Sequence, residues 1–131
     1  MTIKKDYIDY KLLRATDALT AAAGMINQKL WLDALSKIYY AAFYVVSALL
    51  INMKLNPKTH GGAKSLFHKE FILTGIVDKE FGRLYDTLLA KRFEADYEDF
   101  AIIDEEDVPK YFESVKEFLV KAKSLLENNI T

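Results

Sequence analysis

Apolar residues recur along this chain at intervals of three and four. Ile8, Leu12, Ala15, Leu19, Ala22 and Ile26 line one face of a helix predicted from about Tyr7 to Asn27, with Lys11, Arg14 and Asp17 opposite. A second helix is expected from Leu32 to Met53, with Asn52, Asn56 and Pro57 marking its end. Thr59 is placed to cap a third, because its hydroxyl can accept a bond from a first-turn amide. That helix carries Ala63, Leu66, Phe67 and Phe71 inward, and Gly75 stops it. Asp78 offers the cap of a fourth, with Phe81, Leu84, Tyr85, Leu88 and Leu89 facing the core. A fifth carries Tyr111, Val115, Phe118, Leu119, Ala122, Leu125 and Leu126, with Asp107 as cap and Pro109 second in its first turn. No segment alternates as a strand does, and no repeat is visible. The pattern predicts an all-α fold, an up-and-down antiparallel bundle of about five helices forming a single domain over residues 1–131.

The second helix differs from the rest. From Ile38 to Ile51 the chain is apolar for 14 residues but for Ser47, with Lys37 and Lys54 at its borders. That run is shorter than the roughly 18–20 residues a bilayer requires, so no membrane span is expected. Nor does Met1 to Leu13 read as a signal segment, since Lys4, Lys5, Asp6, Asp9 and Lys11 interrupt it. The expectation is a cytoplasmic protein in a prokaryotic setting. A helix without a wet face is either central to its bundle or buried against a second chain. Tyr39, Tyr40 and Tyr44, with Phe43 between them, suit a surface that is part buried and part wet. They favour a homodimer; a central helix of the monomer is the alternative.

Composition narrows the chemistry. Of 131 residues 51% are hydrophobic, and 18 basic against 19 acidic side chains leave a net charge of −1. A near-neutral chain is not held on duplex nucleic acid by excess positive charge, although a local basic patch stays open. With no cysteine there is no disulfide, zinc-thiolate site, iron–sulfur cluster or thiol nucleophile. The two histidines, His60 and His68, lie eight apart and lack the helical spacing of a metal pair, so neither metal nor cofactor is expected. The stretch from Glu94 to Asp107 holds eight acidic residues and no basic one, but not the order of a calcium loop. It reads as a solvated loop leading to the last helix, whose positive end favours acidic neighbours.

Two positions remain as candidates. Extending the inward stripe of the fourth helix from Leu88 by four residues reaches Arg92, and four more reach Asp96. A guanidinium on that line requires a partner. Either Arg92 pairs with Asp96 at the helix end, or its planar fork binds phosphate at the rim of a groove. His60 stands before Gly61 and Gly62 at a helix start, where free amides can receive an anion, or where the run is simply turn and cap.

The order of segments carries the reading further. Lys37-Ile-Tyr-Tyr-Ala-Ala-Phe43 precedes a Thr59-His60-Gly61 turn, then Arg92-Phe-Glu-Ala-Asp96-Tyr97 and an acidic lead into the last helix. From about Tyr7 to Leu126 this resembles the HEPN domain family (higher eukaryotes and prokaryotes nucleotide-binding), in its small stand-alone prokaryotic form. The resemblance implies a helical bundle that dimerises and, in many members, a nucleotidyltransferase partner in a toxin–antitoxin-type module. Other members are metal-independent ribonucleases marked by Arg-x4-6-His, the His acting as acid or base and the Arg stabilising negative charge. Here no His follows Arg92 anywhere in the chain. Asp96 is a poor substitute, since an ionised carboxylate repels phosphate. Tyr97 is the counterpart, at a different spacing, of a tyrosine that accepts nucleotidyl groups in some members. The expectation is a protein without the intact nuclease motif, binding a nucleotide or RNA phosphate through Arg92, Asp96, Tyr97 and His60. A ribonuclease in which His60 is the acid or base beside Arg92, and a purely structural interaction bundle, are the alternatives.

Overall fold

The computed structural model describes residues 3–97 and 103–129. Within them the chain forms five α-helices and no strand: α1 (Ile3–Asn27), α2 (Trp31–Asn52), α3 (His60–Phe67), α4 (Lys79–Tyr97) and α5 (Asp107–Asn129). One turn of π-helix, His68–Ile72, continues α3. The helix α1 starts four residues before the expected position. Residues 98–102, with Glu98 and Asp99 of the acidic stretch, lie outside the described residues.

The three-residue link between α1 and α2 folds them into an antiparallel pair, and Lys4 Nζ near the start of α1 lies 3.5 Å from the Asn52 carbonyl at the end of α2. Both helices end alike. Leu30 N–H reaches back to Met25 O while Lys29 bonds Ile26 O, and Leu55 and Lys54 repeat this with Leu50 and Ile51. This closure needs a left-handed residue, and Lys29 (φ 61°) and Lys54 (φ 62°) supply it where glycine is usual. Asn52, Asn56 and Pro57 therefore flank the stop of α2 rather than make it.

The helix α2 is the centre of the bundle, packed against α1, α3, α4 and α5. Eleven of its residues are buried, among them Leu35, Ile38, Tyr39, Val45, Val46 and Leu49. At 22 residues it is long and apolar enough to cross a membrane, but the surrounding helices cover most of it. That burial accounts for the missing polar face within one chain. Of the aromatic row, Tyr39 belongs to the core, while Tyr40, Phe43 and Tyr44 are only partly covered.

Thr59 caps α3 as expected, its hydroxyl accepting from Gly62 N at 2.9 Å. The lead into α5 differs from the expectation. Asp107 is the first helical residue rather than the cap, which puts Pro109 third, and Asp104 accepts instead from the Glu106 amide at 3.2 Å. Proline is tolerated there because first-turn amides have no partner inside the helix. The π-turn was not legible from periodicity. Its wide ring, closed by Leu73 N–H to His68 O at 2.8 Å, sets the His68 imidazole and Ile72 against Gly82 of α4. A Cβ at Gly82 would stand 3.0 Å from His68 Cε1 and 3.1 Å from Ile72 Cγ1, so any larger residue there must push these side chains back by a few tenths of an ångström.

Candidate functional site

Arg92 lies where the inward stripe of α4 leaves the core. Its Nε is 2.8 Å from Asp96 Oδ2, one helical turn on, although the angle is not that of an aligned hydrogen bond. Its Nη2 donates to the Tyr40 hydroxyl at 2.8 Å. The guanidinium also faces the rings of Tyr40 and Tyr39, 5.2 and 5.6 Å from their centroids. The pair expected from spacing therefore exists, and it is joined by an aromatic cradle from α2. A carboxylate, a hydroxyl and two ring faces together offset the cost of half-burying the charge.

His60 opens α3. Its ring packs 4.5 Å from that of Phe43, centroid to centroid, and its Nδ1 is hydrogen-bonded to the Tyr39 hydroxyl. Burial pushes the imidazole below its ordinary pKa, and the Arg92 charge adds to the effect, so the ring is neutral at neutral pH. Tyr39 is fully buried and its hydroxyl is pushed up, mainly by burial. Behind it lies Tyr85 of α4, also fully buried, with ring centroids 6.0 Å apart.

The structure brings Arg92, His60 and Tyr97 to one groove of about 630 Å³ between α3 and α4. Lys64, Asp86, Phe93 and Glu94 also line it. Asp96 does not; it stands beside the groove as the partner of Arg92. Phe93 and Tyr97 are largely exposed and form a ring pair with centroids 4.8 Å apart at the end of α4. Sequence spacing missed Lys64, Asp86 and His68. Asp86 Oδ1 lies 2.8 Å from His68 Nε2 and 4.0 Å from Lys64 Nζ, a cluster assembled only by packing of α4 on α3. The one signal for it was Gly82, a lone glycine in a helical pattern. Tyr40 also borders a second, smaller cleft of about 290 Å³ with Arg14, Asp17, Lys37 and Tyr44. There Arg14 donates to the Tyr44 hydroxyl at 3.2 Å.

The model of the HEPN domain matches residues 8–125, almost the whole length described above. The chain belongs to the HEPN domain family. Among its relatives, a UPF0332 protein of Thermotoga maritima is 34% identical over 128 residues, covering 98% of this chain and 97% of the relative. A protein of Methanocaldococcus jannaschii named "Putative toxin MJ0142" is 35% identical over 118 residues, covering 89% of this chain and 80% of the relative. The resemblance read from the Tyr-Tyr-Ala-Ala-Phe and Arg-x-x-Ala-Asp-Tyr segments thus holds for the HEPN chain as a whole.

Proposed function

We propose that this HEPN protein belongs to a toxin–antitoxin-type module and binds a nucleotide or RNA phosphate in the groove between α3 and α4. In this reading it acts as a homodimer beside a nucleotidyltransferase partner, without Arg-x4-6-His nuclease chemistry. One observation carries the proposal: His60 and Arg92, distant in sequence, line the same groove. Arg92 supplies the cation, and Phe93 with Tyr97 offers exposed ring faces on which a base can stack. The toxin name borne by the relative in Methanocaldococcus jannaschii supports the module. The partly covered row Tyr40, Phe43 and Tyr44 supports a second copy as partner.

A second reading draws on the same groove. With His60 beside Arg92, both groups of a metal-independent ribonuclease are present, His60 as acid or base and Arg92 as the stabilising cation.

Anisotropy of a fluorescent single-stranded RNA, with AMP as competitor, tests the groove. Wild-type protein is expected to bind the RNA and leave it intact, and Arg92→Ala to weaken binding by about tenfold or more, as for loss of a charged hydrogen bond. No binding by the wild type overturns the reading. Cleavage that His60→Gln abolishes establishes the ribonuclease instead. Light scattering is expected to give twice the 15.0 kDa chain mass; the single mass overturns the dimer. Co-purification with a nucleotidyltransferase encoded by a neighbouring gene tests the partner, and failure to co-purify removes it.

A further inference from the structure

Behind the groove, hydroxyl hydrogens are scarcer than the atoms that could receive them, and counting them decides a tautomer. Tyr85 and Tyr39 are both fully buried. Among the described residues the Tyr85 hydroxyl has no aligned partner; besides burial it feels the Tyr39 hydroxyl first and, through charge alone, Asp86. Tyr39 in turn meets His60 Nδ1. Each phenol has one hydrogen to give and can also accept. Were Nδ1 the protonated nitrogen, it would donate to Tyr39, Tyr39 would turn its hydrogen to Tyr85, and the Tyr85 hydrogen would be buried with no acceptor. A buried donor left unmade is costly. In the opposite sense Tyr39 donates to Nδ1 and the Tyr85 hydrogen can turn toward the Tyr39 oxygen, although not into an aligned bond, so one fewer buried hydrogen goes unmet. The His60 proton then sits on Nε2, the nitrogen left for the groove.

We propose that Tyr39, backed by Tyr85, is a positioning residue that holds His60 as a neutral ring with its proton on Nε2, a fixed N–H donor for a phosphate oxygen in the groove. The proposal rests on the groove reading above and deepens it. A groove-side nitrogen that already carries a proton binds an anion but cannot take the proton from a ribose hydroxyl. Freeing that nitrogen would put the proton on Nδ1, reverse the hydroxyls behind the ring and leave a buried hydrogen with no acceptor. His60 held in this way serves recognition, and the ribonuclease reading loses its base. Among the described residues, the charged and titratable groups around the ring are Tyr39, Tyr40 and Arg92, with Lys64, Asp86, Glu94 and Tyr97 along the groove.

Long-range proton–nitrogen NMR of 15N-labelled protein reads the tautomer directly, and with two histidines in the chain His68→Gln assigns the signals. Wild-type His60 is expected to be protonated at Nε2 alone. A ring protonated at Nδ1, or a mixture of the two, overturns the proposal. Tyr39→Phe tests the sense of the bond. A donor to Nδ1 opposes protonation, so its loss is expected to raise the His60 titration midpoint by about half to one pH unit and to admit the second tautomer. A fall in the midpoint, or none, means that Tyr39 was the acceptor or played no part, and overturns the proposal. The wild-type tautomer decides the matter even if Tyr39→Phe fails to fold. Titration with inorganic phosphate, followed by the His60 shifts, stands apart. Absence of binding sinks the groove reading while the tautomer measurement still stands.

Discussion

Arg92 of α4 donates to the hydroxyl of Tyr40 on α2 at 2.8 Å, while its guanidinium lies over the ring of that same tyrosine. One tyrosine thus supplies both a neutral acceptor and a π-face to a half-buried cation, and ties the groove wall to the central helix. In a double-mutant cycle of Arg92→Ala with Tyr40→Phe, denaturant unfolding is expected to show a coupling of about 0.5–1.5 kcal/mol, mostly from the hydrogen bond since the ring remains. Additive losses would mean that the contact contributes nothing to stability.

The Arg92–Asp96 pair should matter less. Its side chains are 21% and 38% exposed, and the two residues are one turn apart on the same helix. Asp96→Asn is expected to cost about 0.3–0.5 kcal/mol, typical of such helical pairs, and to leave more of the guanidinium available to an anion. Tighter RNA binding by this variant, measured by anisotropy, is the expected sign; weaker binding would mean that the carboxylate orients the arginine.

Two glycines predict opposite outcomes. Among the described residues a Cβ at Gly24 meets nothing within 4 Å, and it lies inside the helical span of α1, so Gly24→Ala is expected to stabilise by about 0.5–1 kcal/mol through helix propensity. At Gly82 the added methyl meets His68 and Ile72, and Gly82→Ala is expected to destabilise by about 1 kcal/mol through overpacking. Thermal unfolding of both variants reads the two signs.

Lys29 and Lys54 occupy left-handed backbone where a side chain is strained. Lys29→Gly and Lys54→Gly are each expected to raise stability, by about 0.5–1 kcal/mol, as the relief of strain exceeds the greater chain entropy of glycine. A fall in the denaturation midpoint would show that the lysine side chains contribute more than their backbone costs.

Acidification should weaken the fold through His60. The folded ring has its pKa lowered by burial and by Arg92, so below an unfolded value of about 6.5 the unfolded chain binds the extra proton first. Unfolding free energy therefore falls as pH drops through 6.5, and levels off below the folded pKa. His60→Gln is expected to flatten that segment of the stability profile. A slope unchanged by the substitution would place its origin elsewhere.

Much of the bundle is written in local order. The stripes of α1, α4 and α5 and the Thr59 cap follow from spacing and from one hydroxyl, because a helix face and a first-turn bond involve residues three or four apart. The Arg92–Asp96 pair belongs to the same class, as does family membership, which rests on the order of segments. The ends of α1 and α2 were less legible, since a left-handed lysine carries no signature that a solvent-facing lysine lacks.

By itself, then, the sequence determined the helical class, the inward faces, the presence of one helix without a polar face, and the arginine at the end of its stripe; the structure placed that helix at the centre of the bundle. Only the tertiary structure decided what those residues meet. Packing α2 inside the bundle turned Tyr39 from a surface tyrosine into the buried partner of His60, and set Tyr40 beneath Arg92. The π-turn and Gly82 brought His68 to Asp86. The physical reason is range. Periodicity and caps act over one turn, whereas a groove is made by side chains from helices whose mutual angle and register depend on the whole core.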